Sequence, residues 1–309
     1  MRTQLTTYLL MFGLVLGVSR MSRADDDPEN KDIAFLTIDV PGATTTFAND
    51  INSRGDIVGR YISAGGQSHG FLLSGGEFTT IDVPGSIFLA VRGINSRGDI
   101  SGIYDDLKSR RHGFVIRDGH FRSIDYPGAT LTSANGMNDR GDVAGRYVTE
   151  DGRGHGHVLN AADEFRTIDF PNAVDNEANG INNRGVVVGR YVIAGTTYGY
   201  RWDDGAFTQI DIPGAVFTWP HRISPRGDIT GPYDTADGRR HGFLLSRHGR
   251  VTTFDVPEAI VTFPSGLNPQ GDIVGNYTDA DGRTHGFLWI RGERDDHGDS
   301  EDGADCQKN

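Results

Sequence analysis

The sequence predicts an all-β fold: a six-bladed β-propeller of four-stranded blades, closed by the N-terminal strand completing the last blade. Three observations predict it. The stretch Asn52-Ser53-Arg54-Gly55-Asp56-Ile57-Val58-Gly59-Arg60-Tyr61 returns from Asn95, Asn138, Asn182, Ser224 and Asn268, roughly 43 residues apart, the period of one propeller blade. The 43 glycines and 12 prolines, against 4 methionines, suit short strands joined by tight turns, and no long stretch carries a helical 3.6-residue period. The sixth copy lacks a fourth strand after His285–Ile290, and Phe35–Val40 near the N-terminus matches the missing one.

Taken in order, residues 1–24 read as a signal peptide. Arg2 opens a short polar region, an apolar run extends from Leu9 to Val18, and Ser22 and Ala24 occupy the small-residue cleavage positions. A disordered linker is expected over 25–33 and the propeller over 34–292. Its repeats fall near 42–84, 85–127, 128–171, 172–213, 214–257 and 258–292, the last completed by 34–41. Residues 293–309 form an acidic tail, expected to be disordered, that contains Cys306. With one cysteine the chain forms no internal disulfide. The expected location is secreted or periplasmic, with no membrane span after signal removal, and the expected state is a monomer. The net charge of −12, more negative still without the arginines of the signal, argues against nucleic acid as a partner.

Within the first repeat the strands are expected at Phe47–Ile51, Ile57–Ser63, His69–Ser74 and Phe78–Val83. Asn52 to Gly55 reads as a type I turn closed by a left-handed residue. Proline takes the second place in the fifth and sixth copies, at Pro225 and Pro269, and glycine the left-handed place in all six. The recurring Arg-Gly-Asp is therefore turn chemistry and not an adhesion signal. If Gly75-Gly76 is a two-residue hairpin turn, Ser74 faces Glu77 and His69 faces Asp82. The same count pairs His112 with Asp125, His155 with Asp169, Tyr198 with Asp211, His241 with Asp255 and His285 with Asp39. A pair repeated in every blade reads as structural, since catalysis needs it once.

The run Ile94-Asn95-x-Arg97-Gly98-Asp99-Ile100-x-Gly102-x-Tyr104, then His112-Gly113-Phe114, then Ile124-Asp125-Tyr126-Pro127-Gly128, resembles the bacterial extracellular HAF repeat, named for its His-Ala-Phe triplet. The resemblance covers residues 34–290, with glycine in the alanine place at Gly70, Gly113, Gly156, Gly242 and Gly286. It implies an exported repeat protein and brings no catalytic residues.

Function is expected where the copies differ. Eight places after the prolines Pro41, Pro84, Pro127, Pro171, Pro213 and Pro257 stand Asn49, Arg92, Asn135, Asn179, His221 and Ser265. Two places earlier, on the same face of a strand, stand Phe47, Ala90, Ser133, Glu177, Trp219 and Phe263. The fourth and fifth copies depart most, so a pocket between them is expected, built from Asp175, Glu177, Trp219, His221 and Arg222, with Arg92 on the channel. Carboxylates, an indole and cationic donors on one rim suit a glycan or polar small molecule. No cofactor is expected; calcium at Asp151-Gly152, Asp237-Gly238 or Asp279-Ala280-Asp281-Gly282 is the alternative to plain turns. The leading functional reading is a binding module for a glycan, polar small molecule or envelope protein. A hydrolase or lyase using Glu177 or Asp175 with His221 or Arg222 is a second reading, and a structural surface or matrix protein a third.

Overall fold

A computed structural model describes residues 34–290, so the signal peptide, the linker and the acidic tail with Cys306 lie outside the described residues. Every regular element in that span is a strand. Strand β1 (Ala34–Ile38) comes first. The first repeat holds β2 (Ala43–Ile51), β3 (Ile57–Ser63), β4 (Ser68–Ser74) and β5 (Glu77–Ile81). The second holds β6 (Phe88–Ile94), β7 (Ile100–Asp105), β8 (Arg111–Arg117) and β9 (His120–Ile124). In the third are β10 (Leu131–Met137), β11 (Val143–Val148), β12 (Gly154–Leu159) and β13 (Phe165–Ile168), and in the fourth β14 (Asp175–Ile181), β15 (Val187–Ile193), β16 (Thr196–Asp203) and β17 (Ala206–Ile210). The fifth splits its first strand into β18 (Ala215–Thr218) and β19 (Arg222–Ile223), followed by β20 (Ile229–Thr235), β21 (Arg240–Leu245) and β22 (Val251–Phe254). The sixth holds β23 (Val261–Leu267), β24 (Ile273–Thr278) and β25 (Thr284–Ile290).

Each repeat is an antiparallel meander, as in the order β2-β3-β4-β5. Strand β1 pairs antiparallel with β25, with Ile38 opposite Gly286, and so stands as the fourth strand of the sixth repeat. Strand β2 packs against β23, β24 and β25, which brings the first repeat against the last.

The repeated motif does its work at two scales. Locally, Gly55 adopts φ of +83° and its N–H returns to the Asn52 carbonyl at 3.1 Å, while the Asn52 side-chain oxygen accepts from the amides of Arg54 and Asp56. Between repeats, the Asn52 amide donates to the Asn95 carbonyl, Asn95 to Asn138 and Asn138 to Asn182, at 3.0–3.3 Å. One asparagine thus closes its own turn and fastens it to the next, which is why the residue recurs.

Glycine in the His-Gly-Phe triplet has a packing cause. A Cβ at Gly70 would lie 2.6 Å from Val91, and one at Gly242 2.7 Å from Pro264, both on the first strand of the following repeat. A Cβ at Gly286 would lie 2.8 Å from the Ile38 carbonyl on β1 and 3.4 Å from Ala48 on β2, so the two ends of the chain meet there. The phenylalanine that follows fills each core: Phe71, Phe114, Phe243 and Phe287 are fully buried, each contributing roughly 1.5–3 kcal/mol by burial. The third and fourth repeats depart, placing His157 and Tyr200 there, both also fully buried.

Candidate functional site

Each first strand is built to turn one side chain out of its ladder. The pairing of β2 with β3 skips between Ala48 and Asp50, and the same shift occurs at Val91/Gly93, Ala134/Gly136, Ala178/Gly180 and Pro264/Gly266. These are β-bulges, which free one residue from pairing and re-aim it. The freed residues are Asn49, Arg92, Asn135, Asn179 and Ser265. In the fifth repeat Pro220, which has no N–H to give, interrupts the strand between Thr218 and Arg222 and leaves His221 in the corresponding place. All six residues line one cavity of about 320 Å³. Phe47, Phe88, Trp219 and Phe263 supply its aromatic walls, and Arg60 and Asn276 reach it from second strands.

Much of the floor is held by one ion pair. The Arg222 Nε lies 2.9 Å from Asp50 Oδ1, and the same guanidinium donates to the carbonyls of Asn179 at 2.8 Å, Asn135 at 3.0 Å and Arg92. Asp50 also accepts the Ile94 amide at 3.0 Å. Burial lifts the Asp50 carboxyl above its ordinary range, with Arg222 opposing that rise. In alignment these two charges occupy the place that is Gly93, Gly136, Gly180 and Gly266 in the other four repeats. Sequence reasoning missed Asp50. The signal was there: one acid and one base at a position otherwise always glycine.

The remaining charges on the wall are positive and unmatched. Among the described residues Arg60 and Arg92 form no ion pair. Burial, then the repulsion of Arg92 and Arg111, pulls Arg60 down to about 10; Arg92 is lowered mainly by burial, against an attraction from Glu177. The Arg60 guanidinium lies over the Phe47 ring at 4.1 Å. His221 is 92% buried and kept neutral by that burial and by the surrounding arginines, foremost Arg222. Besides Arg222, whose Nε has Asp50 as its ion-pair partner, three wall residues each carry a buried polar atom without a hydrogen-bond partner: Nε of Arg92, Nε1 of Trp219 and Nε2 of His221.

The expected pocket between the fourth and fifth repeats needs correction. Trp219, His221, Arg222 and Arg92 do come together, but where all six first strands converge. Asp175 and Glu177 are off the wall, because arginines hold them elsewhere. Asp175 accepts from Arg146 at 2.7 Å, and Glu177 from Arg190 at 2.9 Å and from the Asn135 amide at 3.1 Å. Neither carboxylate is placed on the cavity to act on a molecule in it. A second hollow of about 670 Å³ between the third and fourth repeats mixes both signs of charge, including the Arg140–Asp142 pair on its wall.

The His–Asp pairs lie away from the cavity. Nδ1 stands 2.8 Å from the carboxylate in His69–Asp82, 2.6 Å in His112–Asp125, 2.7 Å in His155–Asp169, 2.8 Å in His241–Asp255 and 2.9 Å in His285–Asp39. Each imidazole also packs on the tyrosine of its Gly-x-Tyr, as with Tyr104 and His112 at 5.0 Å between ring centroids. Tyr198 and Asp211 form no such bond. The phenol has its hydroxyl at the far end of the ring, so Tyr198 stacks on Tyr191 and Asp211 accepts from Gln209 instead. The loop carboxylates weighed for calcium serve their own turns: Asp151 accepts from Thr149 and the Arg153 amide, Asp237 from Thr235 and the Arg239 amide, and Asp279 from the Arg283 amide.

No helix among the described residues is long and apolar enough to cross a membrane. No family model matches the chain, and no curated protein matches it. Solved structures do. TolB from Acinetobacter baumannii superimposes with a TM-score of 0.54 at 13% identity over 79% of this chain and 63% of that one, so the chain spans less than two thirds of TolB. A gluconolactonase from Xanthomonas campestris gives 0.52 at 12% identity over 88% and 94%. A mutant Aleuria aurantia lectin in complex with Fucα1-6GlcNAc gives 0.53 at 11% over 81% and 93%. At such identities the likeness is one of fold, and that fold is the β-propeller.

Proposed function

We propose that the chain is an exported, monomeric six-bladed β-propeller of HAF-type repeats that binds a polar small molecule, a sugar above all, at the centre of its blades. The observation that carries the reading is the convergence of six bulged or interrupted strands on one cavity whose wall holds three buried polar atoms without partners. Buried donors and acceptors are otherwise nearly always satisfied, and a cavity of about 320 Å³ falls within the range of small-ligand sites, roughly 300–1,000 Å³. Closure of the blades is supported by β1 pairing with β25 and by the Gly286–Ala48 and Gln270–Ser53 contacts between the last repeat and the first. That a sugar-binding lectin and a lactonase share the fold is compatible with a sugar ligand.

A binding role fits better than a hydrolase or lyase, because Asp175 and Glu177 are committed to arginines and His221 is held neutral with no carboxylate beside it on the wall. The test is a thermal-shift screen of residues 25–309 against neutral sugars, sugar acids, amino acids and small carboxylates. A ligand that prefers the folded state raises the melting temperature. The expected result is a shift in the native protein that is lost in Trp219→Ala, each measured against its own ligand-free baseline. A shift that survives Trp219→Ala would move the site elsewhere.

A further inference from the structure

The charge balance of the cavity narrows the ligand class, and this step rests on the binding site just proposed. A protein with a net charge of −12 places Arg60, Arg92 and Arg222 on one wall with no acidic residue on it. Only Arg222 is neutralised, by Asp50 from behind the wall. Glu177, the acid nearest in influence to Arg92, is engaged by Arg190 and Asn135. Two guanidinium groups that repel each other and lack an ion-pair partner are costly to desolvate. An anion between them removes that cost, and a carboxylate matches the planar guanidinium fork.

The rest of the wall excludes a bare inorganic anion as the best fit. Phe47, Trp219 and Phe263 line it with aromatic surface, and Asn276 and Ser265 with polar groups. Such a mixture suits a ring with one apolar face and several hydroxyls. We propose that the cavity recognises a uronic acid, free or at the end of an acidic glycan, with its carboxylate met by Arg92 and Arg60 and its sugar ring against Trp219 and Phe263.

The test is calorimetric titration of residues 25–309 with D-galacturonate and D-glucuronate, against D-galactose, D-glucose and acetate as matched probes. Hydrogen bonds to a charged partner are worth about 1.5–3 kcal/mol, so the uronates should bind roughly ten- to a hundredfold more tightly than the neutral sugars. That preference should weaken with added salt. Arg92→Gln should remove the preference, so that the uronates and their matched neutral sugars bind the variant alike. Arg60→Gln, on a different strand, is the second variant, in case Arg92→Gln lowers the melting temperature too far to titrate. Neutral sugars binding as tightly as uronates, with loss in Trp219→Ala, would overturn the anion assignment and leave the site standing. Acetate binding as tightly as the uronates would overturn the sugar. No binding by any of these probes at about 10 mM would overturn the uronate assignment, and silence across the wider screen as well would take the site with it.

Discussion

His157 offers the sharpest test of the packing argument. It occupies the place of Phe71, Phe114, Phe243 and Phe287, is fully buried, and its Nε2 donates to the Ser133 carbonyl at 3.0 Å while Nδ1 has no partner. Burial lowers its pKa to about 4, the Ser133 bond opposing. The unfolded chain takes up the proton near the ordinary value of about 6.5, but the folded chain resists it until about pH 4. The unfolded state therefore binds more protons across that window, and stability falls as pH falls. The loss begins below about pH 6.5 and levels off below about pH 4, reaching roughly 3 kcal/mol at 1.36 kcal/mol per unit. His157→Phe restores the residue of four of the other repeats and removes this contribution. Urea unfolding between pH 7.5 and pH 4 should show the stability difference across the range shrinking by about 3 kcal/mol in the variant, equivalent to roughly 6–12 °C in melting temperature. His221 keeps some acid sensitivity in both proteins, since it too is buried and neutral. An unchanged pH slope in His157→Phe would refute the reasoning, because the imidazole would then be titrating freely in the fold.

Three further outcomes follow from the same structure. Asp50→Asn strands the buried Arg222 charge and should cost about 3–5 kcal/mol; Asp50→Gly with Arg222→Gly, which recreates the glycines of the other repeats, should cost less than the two single changes together by about 1–3 kcal/mol, measured by denaturant unfolding. Asn95→Ala removes the acceptor for the Arg97 and Asp99 amides and the donor to Asp99 and the Asn138 carbonyl, and should lower stability by about 2 kcal/mol, read as a melting shift of roughly 5 °C. His112→Ala should cost on the order of 1 kcal/mol and leave affinity for any cavity ligand unchanged, since the pair with Asp125 is outside the cavity; lost binding at an unaltered melting temperature would instead give the pair a functional role.

What the sequence makes legible is whatever repeats. The turn, the four strands of each repeat, the hairpin register that sets His69 opposite Asp82, and the placing of 34–38 beside the last strand all follow from copies that agree, because a period of about 43 residues tests each inference six times over. Strand limits shift by up to four residues: the first strand starts at Ala43 and not Phe47, and the fourth stops at Ile81 and not Val83, since loop residues next to a bulge or turn join or leave the ladder according to packing. Tyr198 fails to reach Asp211 because a register count places backbones and says nothing of where on a side chain its polar atom sits.

The site was legible only in part, and the division is physical. Asn49, Arg92, Asn135, Asn179, His221 and Ser265 could be aligned on one face because the prolines fix their phase. Asp175 and Glu177 looked equally distinctive as departures, yet they answer Arg146 and Arg190 on the neighbouring second strands. A lone sequence does not show which charges already cancel one another across a sheet. The same blindness hid Asp50, whose partner lies four repeats away in the chain. Departure from a repeat thus marks two different things: charges the fold uses to hold itself, which occur as matched pairs, and charges left over. Asp50 with Arg222 and Glu177 with Arg190 belong to the first kind. Arg92 belongs to the second, and Arg60, which holds the place of Arg146 and Arg190, joins it because Phe47 and Phe88 stand beside it where those two arginines meet Asp175 and Glu177.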